Sequence, residues 1–558
     1  MCPLRALGEI RFVRYLANQT DHWRGALTGS LALPSAEGHT MRNLTSFVRH
    51  SLRITAALFA VILIAGCGDD QIVYRDRAAF NAPKDSTAGF LGYYNAATKQ
   101  TTCGNCHAGY QASWKTTKHA GAYATLNANP NKQASCYGCH SVNGKGNALS
   151  GTQAGHDKVQ DPTYFDVQCE SCHGAGLQHV EGVGAGTIVR PLAKLSATGA
   201  GTCADCHTGT HNPFAEEWAQ SNHAKVYAGA LSCGASCHDG RGALVAWGVN
   251  ANYVEKAEAT NQQATTCAVC HNPHGSSNPA QLRFSVTSPD PEQNLCMKCH
   301  MRRNEPTVTQ SSPHAPQGAV LLGVAGWRPP GFVYDTARIF GSHATTANPK
   351  LCAGCHVSRF TVTDKTTGAF TFQATGHLMR PTPCIDGTGK PTSSKTCDYT
   401  TTARSFKSCA TSGCHASETV AAAAFTTVRN RMKFYTDQLW RDVNANGSMQ
   451  AAPTDAGLLP TIRQTRPTEW STTDNTISPA EGAEFNARLC GEYGQSNSDN
   501  SKGIHNPFLC EALLISTINY LRTYYNLPAA SHAEQAMLDG PVGGEFNRGM
   551  KISRTAPK

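Results

Sequence analysis

Strong strand patterns are scarce in this chain of 558 residues, and Gly, Ala, Thr, Ser and Asn fill much of its length. That scarcity argues against a sheet-built fold and points to short helices joined by irregular coil. The apolar run at residues 54–66 is too short to span a bilayer as a stable helix. Methionine is also rare: there are nine, and few fall between Cys103 and His415, so thioethers are a poor source of metal ligands. A chain of this kind must draw its core from something other than aliphatic side chains.

Cysteine is abundant instead, with 24 in all. Seven times the chain reads C-x-x-C-H: Cys103/Cys106/His107, Cys136/Cys139/His140, Cys169/Cys172/His173, Cys203/Cys206/His207, Cys267/Cys270/His271, Cys296/Cys299/His300 and Cys352/Cys355/His356. Two stretched versions join them, Cys233/Cys237/His238 and Cys409/Cys414/His415. C-x-x-C-H is the signature of c-type haem attachment. The two thiols add across the vinyl groups, and the adjacent imidazole falls under the iron. Zinc sites pair two C-x-x-C units per metal and need no histidine after each. Thioredoxin-like dithiols come singly. Neither accounts for a histidine after every pair, so the cofactor expected is haem c, nine in number.

These motifs resemble the multihaem c-type cytochromes, of the nine-haem, doubled C-x-x-C-H kind that serves outer-membrane and extracellular electron transfer. The resemblance is strong over residues 100–415 and weak beyond. It implies a mostly α and irregular-coil fold organised by haem, with little sheet and a C-terminal helical segment.

Residues 41–67 read as an export signal. Arg42, Arg49 and Arg53 precede the short apolar run, which ends Ile64-Ala65-Gly66-Cys67. The ending resembles a bacterial lipobox, which implies lipid attachment at Cys67 and a surface or outer-membrane lipoprotein, or otherwise a periplasmic or extracellular protein. Met41 is then the expected start, and residues 1–66 are leader. Of the cysteines outside the motifs, Cys384 with Cys397 and Cys490 with Cys510 are the disulfides expected in an oxidising compartment.

The formal charge is +9, of which residues 1–66, with seven Arg and three acids, supply +4. The remaining excess reads as counter-charge for haem propionates, not as a nucleic-acid surface.

Successive motifs lie 33, 33, 34, 30, 34, 29, 56 and 57 residues apart, first cysteine to first cysteine. Trp114-x4-His119-Ala-x2-Tyr123-Ala recurs as Trp218-x4-His223-Ala-x2-Tyr227-Ala, so motifs 1–3 and 4–6 read as two copies of one unit. The regions expected are a linker at 67–100, a five-haem part at 101–265, a four-haem part at 266–415, and a helical cap at 416–558. Residues 444–477 read as loose surface. In the cap, Ser478-Pro479-Ala480-Glu481 is a capping box and Asn506-Pro507 starts a further helix.

Eleven histidines remain after nine proximal ones and three in the leader. By resemblance, His119, His223, His274 and His179 take the distal face of haem irons. His156, His314, His343 and His377 are candidates by position. His211 and His505 share a G-x-H-N-P-F phrase; His211 completes a set of nine and His505 stands in reserve. His532 reads as a surface residue. With two imidazoles on each iron the protein is an electron carrier and not an enzyme, with no catalytic residue. The expected partners are periplasmic donors, other cytochromes and acceptors such as metal oxides. Two other readings remain open. One is a nitrite-, hydroxylamine- or tetrathionate-class reductase with one open haem, although no motif carries lysine in place of histidine. The other is a subunit of an extracellular cytochrome filament, a homopolymer.

Overall fold

The computed structural model describes residues 80–539, apart from 228–230, 258–261, 333–341, 412–413, 472 and 492–497. The export segment and Cys67 lie outside the described residues, as does the side chain of Cys233.

Helix and coil dominate, as the sparse strand pattern predicts. Among the described residues the only sheets are two antiparallel hairpins, β1 (Tyr93–Asn95) with β2 (Gln100–Thr101), and β3 (Phe360–Thr363) with β4 (Phe370–Ala374). The haem motifs form single turns. In motifs 1, 3, 4, 6 and 7 the histidine N–H donates to the carbonyl of the first cysteine, at 2.9–3.0 Å. One such turn sets residues i, i+3 and i+4 on one side, so two thiols and an imidazole project together. The stretched ninth motif keeps this closure, from His415 N–H to Cys409 O at 3.1 Å.

The sequence duplication is built into the fold. Helix α1 (Ala108–Trp114) ends on Trp114, whose Nε1–H donates to Val167 O at 2.9 Å. Helix α2 (Phe214–Gln220) carries Trp218, which donates to Thr265 O at 2.8 Å. In return Val167 N–H reaches His119 O and Thr265 N–H reaches His223 O, both at 3.1 Å. Each tryptophan thus ties its histidine segment to the approach of a motif further along.

Past the last motif, α3 (Glu418–Leu439), α4 (Leu458–Thr465), α5 (Pro479–Cys490) and α6 (Pro507–Tyr524) pack into a helical bundle. The capping box forms: Ser478 Oγ accepts from Glu481 N–H at 3.1 Å, and Ser478 N–H donates to Glu481 Oε2 at 3.0 Å. Asn506 caps α6 by accepting from Leu509 N–H at 3.0 Å.

Two expected loose stretches are ordered parts of the core. Within 80–100, Phe90, Leu91 and Tyr93 are buried, because buried Glu170 of motif 3 accepts Leu91 N–H at 3.0 Å and Gly92 N–H at 2.6 Å. Within 444–477, α4 buries Leu459 and Ile462. Both stretches are too short to show a periodic pattern. The Cys384–Cys397 disulfide is present. Cys490 and Cys510 instead lie buried as free thiols in contact with each other.

Candidate functional site

An iron between two imidazoles needs metal–nitrogen bonds of ~2 Å on both faces, which puts the ring centres about 6 Å apart. Seven motif histidines have a second histidine ring at that spacing. The pairs are His107 with His179 at 6.4 Å, His173 with His274 at 6.0 Å, and His207 with His119 at 6.2 Å. They continue with His238 and His314 at 6.0 Å, His271 and His377 at 6.3 Å, His300 and His223 at 6.1 Å, and His356 and His505 at 6.0 Å. Free imidazoles would stack closer or drift apart. Seven rings held off by one iron's width fit the group that the motifs imply.

Local hydrogen bonds orient these rings. The Nδ1 of His140 faces Ala122 O at 2.8 Å, that of His173 faces Pro191 O at 2.9 Å, and that of His271 faces Ala280 O at 2.7 Å. Among the opposing rings, His179 faces Val189 O at 2.9 Å; His343, outside the seven pairs, faces Ile504 O at 2.8 Å. A carbonyl partner fixes the proton on Nδ1 and leaves Nε2 free as a ligand. Burial pushes His119, His223, His274, His356 and His377 down to about 4. Each is therefore neutral at physiological pH, the form that ligates iron.

The attachment cysteines are not uniformly enclosed. Most of those described are half-buried, but Cys106 of motif 1 and Cys414 of motif 9 are exposed. The Cys414 thiol accepts from Thr411 Oγ1–H of its own stretched loop at 3.4 Å, and Cys106 ends a single turn whose buried residue is Gly104. Thioether formation needs reach to the vinyl carbon and not burial, so both stay compatible with attachment. Cys172 and Cys203 are exposed as well, but they face each other across motifs 3 and 4.

Four histidine candidates depart from the pairing pattern. His505, the reserve, takes the position opposite His356, and its Nδ1 meets the Asp499 carboxylate at 2.6 Å. His211, placed in the set of nine, stacks on Phe370 at 4.7 Å and meets no motif histidine. His156 is buried against Tyr137 and Tyr123, with no hydrogen-bond partner for Nε2. His343 comes within electrostatic reach of His415 and His505, without a ring contact to His415. Two motif histidines, His140 and His415, therefore have no paired imidazole ring among the described residues, and only His415 has a candidate within electrostatic reach, His343.

Two supporting carboxylates carried no sequence signal. Buried Glu217 accepts Thr375 N–H at 2.9 Å, Thr375 Oγ1–H at 2.7 Å and His377 N–H at 2.8 Å, which fixes the ring opposite His271. Asp499 does the same for His505 from a neighbouring loop. No spacing rule links either residue to its histidine.

Comparison with known proteins agrees with this geometry. Residues 102–174, holding motifs 1–3, match the family model for cytochrome c554 and c-prime, and residues 259–305, holding motifs 6 and 7, match the doubled CXXCH motif. The chain is 28% identical over 224 residues to the C-type polyheme cytochrome OmcB of Geobacter sulfurreducens, a match covering 35% of this chain and 28% of that protein. OmcC of the same organism is 29% identical over 171 residues, covering 24% and 22%. The multiheme cytochrome MtrA of Shewanella baltica is 25% identical over 257 residues, covering 42% and 69%. The chain thus spans less than a third of the Geobacter relatives it matches. No solved structure matches it. Motifs, ring spacing and relatives converge on the multihaem c-type cytochromes, the proteins to which this chain is similar and which bind haem c covalently.

Proposed function

We propose that this protein passes electrons through nine haems, seven of them held between paired histidines, from periplasmic donors toward acceptors at or beyond the outer membrane. The observation that carries this reading is the set of seven opposed imidazole pairs at 6.0–6.4 Å. Bound haem supplies the one-electron ferric/ferrous couple. The chain holds both axial positions with neutral imidazoles, excludes water from them by burial, and fixes each ring through Nδ1 so that little rearranges when charge arrives. Cys67 anchors the protein by lipid, and other cytochromes or metal oxides take the electrons. A haem count on the purified protein, with electron paramagnetic resonance of its resting state, tests the core of this reading. Nine haems with low-spin signals at the seven paired sites support it; high-spin signals across those sites sink it. Substituting Cys67→Ser tests the anchor separately, by release from the membrane fraction.

One observation favours a second reading, a reductase with an open haem. Among the described residues no imidazole ring opposes His140, whereas His343 comes within reach of His415, so motif 2 is the place where a small substrate would meet iron. A single high-spin component that shifts with nitrite or hydroxylamine and turns it over would favour the enzyme.

A further inference from the structure

The motifs are not laid out in chain order. The Cys103 thiol is within hydrogen-bonding reach of that of Cys169, the Cys203 thiol of that of Cys267, and the Cys296 thiol of that of Cys352. Each is a first cysteine near a first cysteine, and each joins motifs of the set 1, 3, 4, 6, 7 and 8; Leu351 and Cys352 of motif 8 also pack with Met297 of motif 7. Between these approaches a second cysteine is within electrostatic reach of the next first cysteine: Cys172 of Cys203, Cys270 of Cys296, and Cys355 of Cys409. The two kinds of approach alternate three times and trace one file, motifs 1-3-4-6-7-8-9.

Motifs 2 and 5 are outside that file. Cys139 is within hydrogen-bonding reach of Cys206 of motif 4, and Cys237 of Cys299 of motif 7, a second cysteine near a second cysteine in both cases. The imidazoles repeat the pattern without the thiols. His140 is within electrostatic reach of His207, and His238 of His300. Along the file the same holds for His107 with His173, His207 with His271, and His300 with His356. Hydrogen bonds and rings hold these neighbours in place. Asp205 of motif 4 accepts Gly146 N–H and Ser150 Oγ–H, both at 3.0 Å, from the loop after motif 2. Cys299 Sγ lies 4.0 Å from Ser236 O in motif 5. Thr101 Oγ1, next to motif 1, lies 3.8 Å from Cys169 Sγ. Phe214 bridges His207 and His377, with ring centres at 5.6 and 4.8 Å.

We propose that the attachment motifs form a seven-member file with two side branches, motif 2 hung on motif 4 and motif 5 hung on motif 7. The layout rests on the electron-transfer reading above and extends it. It gives the protein four terminals where a plain wire has two. Motifs 1 and 9 end the file, and motifs 2 and 5 are lateral ports at which a second redox protein exchanges electrons without occupying either end. The layout also shows a third copy of the repeat. Motifs 1 to 3 span 66 residues (169 − 103) and motifs 4 to 6 span 64 (267 − 203), each with a branch motif between; motifs 7 to 8 span 56 (352 − 296) with none. The third unit keeps the file contact and lacks the branch.

Locating the nine irons in the haem-loaded protein, by cryo-electron microscopy or anomalous diffraction, tests the layout directly. The expected result is that the motif-2 iron has the motif-4 iron as its one near neighbour, that the motif-5 iron has only the motif-7 iron, and that motifs 1 and 3 adjoin each other. Irons that follow chain order, with motif 2 between 1 and 3, overturn it. A pyridine haemochrome assay on the same sample separates this failure from that of the parent reading. A full haem count with re-ordered irons defeats only the branching, and motifs without haem defeat both.

Discussion

Helices α3 to α6 close on a continuous aliphatic core in which Met432, Leu439, Leu459, Ile462, Phe485, Leu514 and Ile518 are all fully shielded. Residues 101–415 build nothing comparable of their own: Ala319, Val320 and Ala325 join that core, and the other buried apolar side chains gather into small separate clusters, such as Leu195, Ala243, Leu244 and Val269. What those residues bury instead is polar and paired. Glu170 holds the backbone of 91–92, Glu217 that of 375–377, and histidines face histidines across an iron's width. One region is stabilised by the transfer of hydrocarbon out of water. The other leaves that role to porphyrin faces, so its order depends on the cofactor.

Withholding haem should therefore split the molecule. In full-length chain produced without cytochrome c maturation, hydrogen exchange is expected to be near the unfolded rate across 101–415 and slow in α5 and α6. Uniform protection, or uniform loss, would break the comparison. The next largest effect lies in the bundle. Phe485→Ala removes a fully buried ring and should cost about 3–5 kcal/mol, read by chemical denaturation, while the absorption of the paired haems stays low-spin.

Legibility followed the same division. The motif turns, the capping box at Ser478 and the Trp114/Trp218 duplication were readable because each is local: a thiol spacing, a cap, a repeated phrase. A repeated phrase marked His119 and His223, whose rings lie opposite His207 and His300. His505 and not His211 lies opposite His356; the two share one phrase, and the choice between them depends on which loop folds against motif 8. That is a long-range matter which no local phrase carries. α4 went unseen because eight residues, with Pro460 at the third, make too short a window for a helical period to stand out from the surrounding coil.

Carboxylates test how the haem region holds its ligands. Glu217→Ala leaves Thr375 N–H, Thr375 Oγ1–H and His377 N–H without their acceptor. The loss should be about 1–3 kcal/mol and should appear as altered low-spin signals from the haem of motif 6 alone. An equal disturbance of all haems would mean that Glu217 supports the fold and not the ring.

Asp499 offers a finer comparison within the same region. Most of the paired imidazoles with an Nδ1 partner meet a carbonyl, whereas His505 meets a carboxylate at 2.6 Å. A carboxylate draws the Nδ1 proton and makes the ring a stronger donor, which stabilises ferric over ferrous iron. Asp499→Asn keeps the shape and removes the charge. The midpoint potential of the motif-8 haem should rise by roughly 59 mV, a tenfold change in its ferrous-to-ferric ratio at fixed potential, while the other haems hold theirs. Because motif 8 lies between 7 and 9 in the branched file, that rise would also deepen a single step near one end. A shift spread over all haems would place the effect in the overall charge of the protein instead of in the bond to His505.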